Sequence, residues 1–105
     1  MAKQIVLTYE GKDYTLEFNA RQVKRMEDGG FRINTETPYT MVTELFQGAF
    51  QMHHKRLDPD TIKTIWKAQN NKDKLLAALV NMYTQPIADL MEDAEDEENP
   101  TWKEV

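Results

Sequence analysis

Few residues in this chain have the type and spacing to do chemistry. His53 and His54 are adjacent, Asp58 and Asp60 stand two apart, and Gly29-Gly30 forms a glycine pair inside MEDGGF. Adjacent residues on a helix point about 100° apart, so the two histidines do not converge on one metal as an i,i+4 pair would. One turn away stand Ala49, Phe50 and Leu57, none of them a ligand, and Asp58 lies past the expected helix end. HHKR at residues 53–56 therefore reads as positive charge at a helix C-terminus, where the dipole favours it. Asp58 and Asp60 could pass for a pair of acid and base carboxylates. With Pro59 between them they read instead as a helix start, and no partner base is identifiable. MEDGGF lacks both the spacing of a phosphate loop and its Lys-Ser/Thr, and reads as a helix stop. The chain contains no cysteine and no serine. That excludes thiolate zinc sites, disulfides and thiol or serine nucleophiles. The expectation is a protein that is not an enzyme, with no catalytic residue, no cofactor and no metal.

The remaining unusual feature is the C-terminal stretch. Six of the seven residues from Glu92 to Glu98 are acidic, and Trp102 follows them. Residues 1–91 hold twelve Lys and Arg against eleven Asp and Glu, whereas residues 92–105 hold one against seven. The body is thus nearly neutral, and the net charge of −5 belongs to the end. A neutral body without a basic stripe argues against nucleic-acid binding, because phosphate contacts dominate that affinity. An acidic run is ordinarily a solvated, disordered end that keeps a protein soluble. A tryptophan beside it adds two further readings: a short linear binding segment, since tryptophan is enriched at interface hot spots, or a clamp onto the chain's own Arg21, Lys24 and Arg25.

The elements that would position these residues follow from periodicity. A chain of 105 residues is one domain by size and leaves little area to wall off a deep cleft. IVLTYEGKDYTLEF alternates as a β-hairpin. Pairing across EGKD sets Tyr9 opposite Tyr14, Leu7 opposite Leu16 and Ile5 opposite Phe18, all on one face, with Gly11-Lys12 as the central turn residues. Asn19 caps a first helix, with Gln22 placed to complete a capping box, and Gly29-Gly30 ends it. Phe31 and Ile33 suggest a short extended piece. Thr37 and Pro38 start a second helix, from about Pro38 to His54, whose stripe of Val42, Leu45, Phe46, Ala49 and Phe50 marks it as the central core helix. Asp58-Pro59 starts a third, which buries Ile62, Ile65 and Trp66. A fourth begins at about Lys72, and Pro86 predicts a kink or break before a last short helix carrying Ile87, Leu90 and Met91. The expected fold is α+β: an N-terminal β-hairpin packed on a bundle of about four to five α-helices, residues 1–91, followed by a disordered acidic tail, residues 92–105. No apolar run is long enough to cross a bilayer, and the basic residue near the start has no signal-peptide core behind it. The lack of cysteine fits a reducing cytoplasm.

KQIVLTYEGKDYTLEFNARQVKRMEDGGF, LFQGAFQMHHK and LLAALVNMYTQPIADLMEDAEDEE together resemble a group of small proteins from tailed phages and prophages of Gram-positive bacteria that look like tail assembly chaperones. The resemblance spans nearly the whole chain and includes no catalytic motif. It implies a helper made in the cytoplasm of the bacterial host, which coats the long tape measure protein, helps recruit tail tube protein, and leaves the finished tail. The alternative is a tail completion or connector protein retained in the virion. An acidic mimic of nucleic acid and a small hydrolase rank below both. Binding an amphipathic helix in an apolar groove would suit the chaperone role. The candidate partner contacts are Phe46, Phe50, Met52, Trp66, Met91 and Trp102, with no nucleic acid or membrane as partner and a homo-oligomer compatible. The methionines could line such a groove or simply fill the core.

Overall fold

The computed structural model describes residues 4–93 and 102–105. The order is β1 (Gln4–Tyr9), β2 (Lys12–Glu17), α1 (Ala20–Asp28), α2 (Pro38–Gln51), α3 (Pro59–Lys67) and α4 (Lys72–Leu90). It is an α+β arrangement of one antiparallel hairpin and four helices, with α2 at the centre touching β2, α3 and α4. The reading of residues 94–101 as a flexible tail lies outside the described residues.

The hairpin forms from the expected strands in a different alignment. Tyr9 pairs with Lys12, Leu7 with Tyr14 and Ile5 with Leu16. The turn residues are Glu10 and Gly11, with φ of 51° and 76°. Two successive positive φ values are those of a type I′ turn, whose twist matches that of the flanking strands. The expected turn placed glycine first and Lys12 second; the actual one places glycine second. Each strand therefore shifts by one residue, and the sum of the two shifts preserves sidedness. Leu7, Tyr14, Leu16 and Phe18 are buried, and Ile5 and Tyr9 pack partly against them.

Asn19 caps α1 as expected, its Oδ1 accepting from the Gln22 N–H at 2.8 Å. Removing this acceptor orphans a helix N–H, so Asn19→Ala should cost about 1 kcal/mol and lower the melting temperature by about 4–8 °C, as read by thermal denaturation. Gln22 does not complete the capping box. Its amide turns inward and donates to the Gly48 carbonyl at 3.0 Å and to Gln51 Oε1 at 2.7 Å. Gly48 lies where α1 comes close: a Cβ there would stand 2.5 Å from the Met26 thioether. At the other end of α1, Gly30 N–H donates to Glu27 and Phe31 N–H to Met26, with Gly30 at φ 95°. This pair of bonds is a Schellman motif, and it turns Phe31 into the core. Residues 31–34 form no strand.

Helix α2 stops at Gln51, three residues before the expected end. His53 and His54 leave the helix to meet the hairpin. Thr37 sits at the N-cap but makes no side-chain cap bond; its hydroxyl donates to Asn34 Oδ1 at 3.1 Å. Asp58 and Pro59 start α3 as expected, with Asp58 Oδ1 accepting from Thr61 N–H at 2.7 Å. Helix α4 contradicts the expected break: it runs unbroken for 19 residues with Pro86 inside it. Proline removes one backbone donor and crowds the preceding turn. Here Pro86 and Ile87 face Ala20 and Val23 of α1 across a shared groove, and the helix continues through the missing bond.

The core joins all six elements. Phe46 and Phe50 meet edge to face at 5.0 Å, Phe50 meets Tyr14 at 5.7 Å, and Tyr83 receives Phe18 and Phe31 at 5.3 and 5.2 Å. Burial of Tyr83 pushes its phenol pKa up.

Candidate partner-binding surface

The apolar spacing of α4 outlasts the body that covers it. Leu79, Met82 and Tyr83 are buried, but the same stripe continues as Ile87, Leu90 and Met91. Leu90 is 82% exposed and Met91 76%. Below them α1 supplies Ala20 and Val23, and the two helices enclose a groove of about 400 Å³ rimmed by Lys24, Glu27 and Asp28. Soluble proteins scatter single exposed apolar residues freely; a contiguous apolar ridge beside a groove marks an interaction surface.

The electrostatics of this corner are acidic. Lys24 is engaged by Asp28 at 2.9 Å, and that exposed pair is weak in solvent. Asp89 lies between Ile87 and Leu90, and Glu92 and Asp93 follow Met91 directly. Helix α4 carries no basic residue in its last turn, so nothing of its own offsets the negative pole of its dipole. Cationic groups flanking an apolar segment are what this surface would attract.

The six candidate contacts do not come together. Phe46 and Phe50 are enclosed, at 1% and 0% exposure, so neither presents a surface to a partner. Their spacing showed an apolar stripe but could not show that β2, α3 and α4 cover it. Trp66 is half-buried, its ring 5.0 Å from Phe46, beside a small cleft lined by Ile62, Pro59 and Lys63. Met52 is half-buried at the end of α2. Met91 is exposed on the α4 ridge. Trp102 is 68% exposed. Leu90 and Ile87 were missed as contacts because they continue a core stripe. The signal was their position at the end of the last apolar stripe, directly before the acidic run.

The histidines have a structural use that spacing did not reveal. His54 Nε2 accepts from the Thr15 backbone N–H at 3.0 Å, and His53 Nε2 lies 2.8 Å from Glu17 Oε1. The His54 ring also stacks edge-on against Tyr14 at 5.1 Å. Together they fasten β2 to the end of α2. Desolvation, with Coulombic repulsion from His53 and Lys12, holds the His54 pKa below 6.5. Hydrogen bonds from His53 and then Gln4 hold the Glu17 carboxyl below 4.5. Among the described residues no group of three or more His, Cys, Asp or Glu is placed to hold a metal ion. No helix among them is long and apolar enough to cross a membrane.

No curated protein and no solved structure matches the chain. A family model does match, over residues 1–105: that of DUF5055, a domain of unknown function, and the chain belongs to this family.

Proposed function

We propose that this protein is a non-enzymatic tail assembly chaperone of a Gram-positive phage or prophage, working in the cytoplasm of the bacterial host. Its client is the tape measure protein, with the tail tube protein as a further partner. The observation that carries this reading is the uncovered Ile87-Leu90-Met91 ridge over the α1–α4 groove, continuous with the acidic end of the chain. A chaperone for a long helical client needs an apolar seat that releases its occupant and enough charge to stay in solution. The ridge supplies i, i+3, i+4 anchors of the kind that grip an amphipathic helix. The acidic residues next to it supply the charge. The sequence resemblance supplies the client.

Co-expression tests this directly. The cognate tape measure protein should become more soluble and should co-purify with the chaperone. Leu90→Glu places a carboxylate at the centre of the ridge and should weaken the complex about tenfold or more, since a desolvated unpaired charge costs more than the anchor contributed. The melting temperature should stay within about 4 °C, because an exposed site seldom moves stability by more than about 0.5 kcal/mol. Unchanged client solubility, with nothing co-purifying, would sink the chaperone reading. Detection of the protein at fixed copy number in purified virions would favour a retained connector instead.

A further inference from the structure

The hairpin has two outer edges, and the molecule treats them differently. On the β2 side, His54 takes the outward N–H of Thr15, and Glu17 holds His53. That strand also carries Lys12, Asp13 and Glu17, the charges by which natural edge strands discourage pairing. β1 reads QIVLTY and carries no charge and no proline.

The outward N–H of Thr15 identifies Val6–Thr15 as a non-hydrogen-bonded pair of the antiparallel ladder. Alternation then makes Gln4–Glu17 and Thr8–Asp13 the same kind, so the backbone N–H and C=O groups of Gln4, Val6 and Thr8 point away from β2. Among the described residues none of these groups has a backbone partner outside the hairpin. Apolar surface is left open on both faces of the same strand. Val6 is 62% exposed on the outer face, and Ile5 and Tyr9 are only half-buried on the inner one, whereas Tyr14 and Leu16 of β2 are fully buried.

We propose that β1 is a dimerisation edge, at which two copies of this chain pair antiparallel across a two-fold axis at Val6 to build one four-stranded sheet. The charge pattern selects a second copy as the occupant. Under a two-fold, a strand meets its own sequence reversed, and any like charge brought opposite itself would repel. β1 has none to repel. Val6 faces Val6, Gln4 faces Thr8, and on the inner face Ile5 of one copy lies opposite Leu7 of the other. Such pairing satisfies the outward backbone groups of both copies and covers the half-open apolar residues. It also extends a two-stranded sheet, which is the least stable size, to four strands.

The test uses the full chain, without any client, by sedimentation velocity from low micromolar to the highest soluble concentration. Wild type should form a dimer. Val6→Lys and Val6→Glu should each raise the dimer dissociation constant about tenfold or more, by setting like charges opposite and removing the valine contact. Mixing those two variants should restore a dimer, now heterodimeric. Thr8→Pro removes an outward N–H without touching the β1–β2 ladder, and should also weaken the dimer. Circular dichroism identifies variants that keep the monomer fold. A wild type that stays monomeric throughout overturns the proposal and leaves β1 to a foreign strand. So does a dimer indifferent to Val6→Lys and Thr8→Pro in folded variants. Client binding through the α4 ridge is read separately and can succeed or fail independently.

Discussion

Phe50→Ala should cost about 3–5 kcal/mol and lower the melting temperature by about 15 °C or more. Phe50 has no exposed surface, and its ring sits among Phe46 at 5.0 Å, Tyr14 at 5.7 Å and His54 at 6.0 Å. Truncation loses the transfer energy of the ring and leaves a cavity between α2 and β2 that two rigid elements cannot close. A domain of this size has only about 5–15 kcal/mol of stability in total, so one such change takes a large share. Chemical denaturation at equilibrium checks the figure. The same measurement separates Phe50, a candidate contact that proves to be buried, from Leu90, an exposed residue absent from the candidate contacts. Loss of client binding in Phe50→Ala would report unfolding, whereas loss in Leu90→Glu, with melting unchanged, would report the surface.

Folding stability should fall as pH drops below about 6.5, and replacing His54 should remove that part of the dependence. The folded His54 is held below 6.5, first by desolvation and then by His53 and Lys12. In the unfolded chain it titrates near 6.5, so between the two values the unfolded state carries more protons. Stability therefore rises with pH through this window, is complete above 6.5, and stops falling once pH drops below the folded value. The structural cause is specific. Nε2 accepts from Thr15 N–H, and a protonated ring has no acceptor to offer. His54→Ala should cost about 2 kcal/mol at neutral pH, from the lost acceptor and the lost ring contacts, and should flatten the curve between pH 6.5 and the folded value. Glu17 has its carboxyl held below 4.5, so its contribution is present above that pH and is lost only in the more acidic range. The two carboxyl and imidazole steps should separate in urea titrations taken at closely spaced pH values. A pH profile unchanged by His54→Ala would refute the assignment.

What was readable in the chain was what local chemistry decides. Asn19, Asp58-Pro59 and Gly29-Gly30 mark helix ends because orphan backbone groups need those residues, and all three stand where expected. The inward faces of the strands were readable from alternation. The misreadings occurred where a distant element outvotes a local signal. Pro86 breaks a helix in isolation, but α4 carries it without interruption beside α1. Gln22 fits a capping box, but Gly48 and Gln51 offer its amide two buried partners. His53 and His54 continue a helical pattern, but β2 draws them out of it. For the candidate surface, periodicity gave the stripe of Phe46, Phe50, Ile87, Leu90 and Met91 without saying which members lie under another element. That depends on which elements pack over each position, which no window of sequence contains.

The hairpin register has one more consequence. An alignment centred on Gly11-Lys12 would point the same side chains inward and bury nearly the same apolar residues, so the core alone discriminates poorly between the two. The backbone discriminates sharply. In that other alignment Thr15 would face Thr8 across a hydrogen-bonded pair, its N–H would be consumed within the ladder, and His54 would find no donor. The end of α2 thus works as a gauge that fits only one setting of the hairpin. The shifted frame leaves that imidazole without its donor, so the His54–Thr15 bond adds to the stability of the observed frame alone.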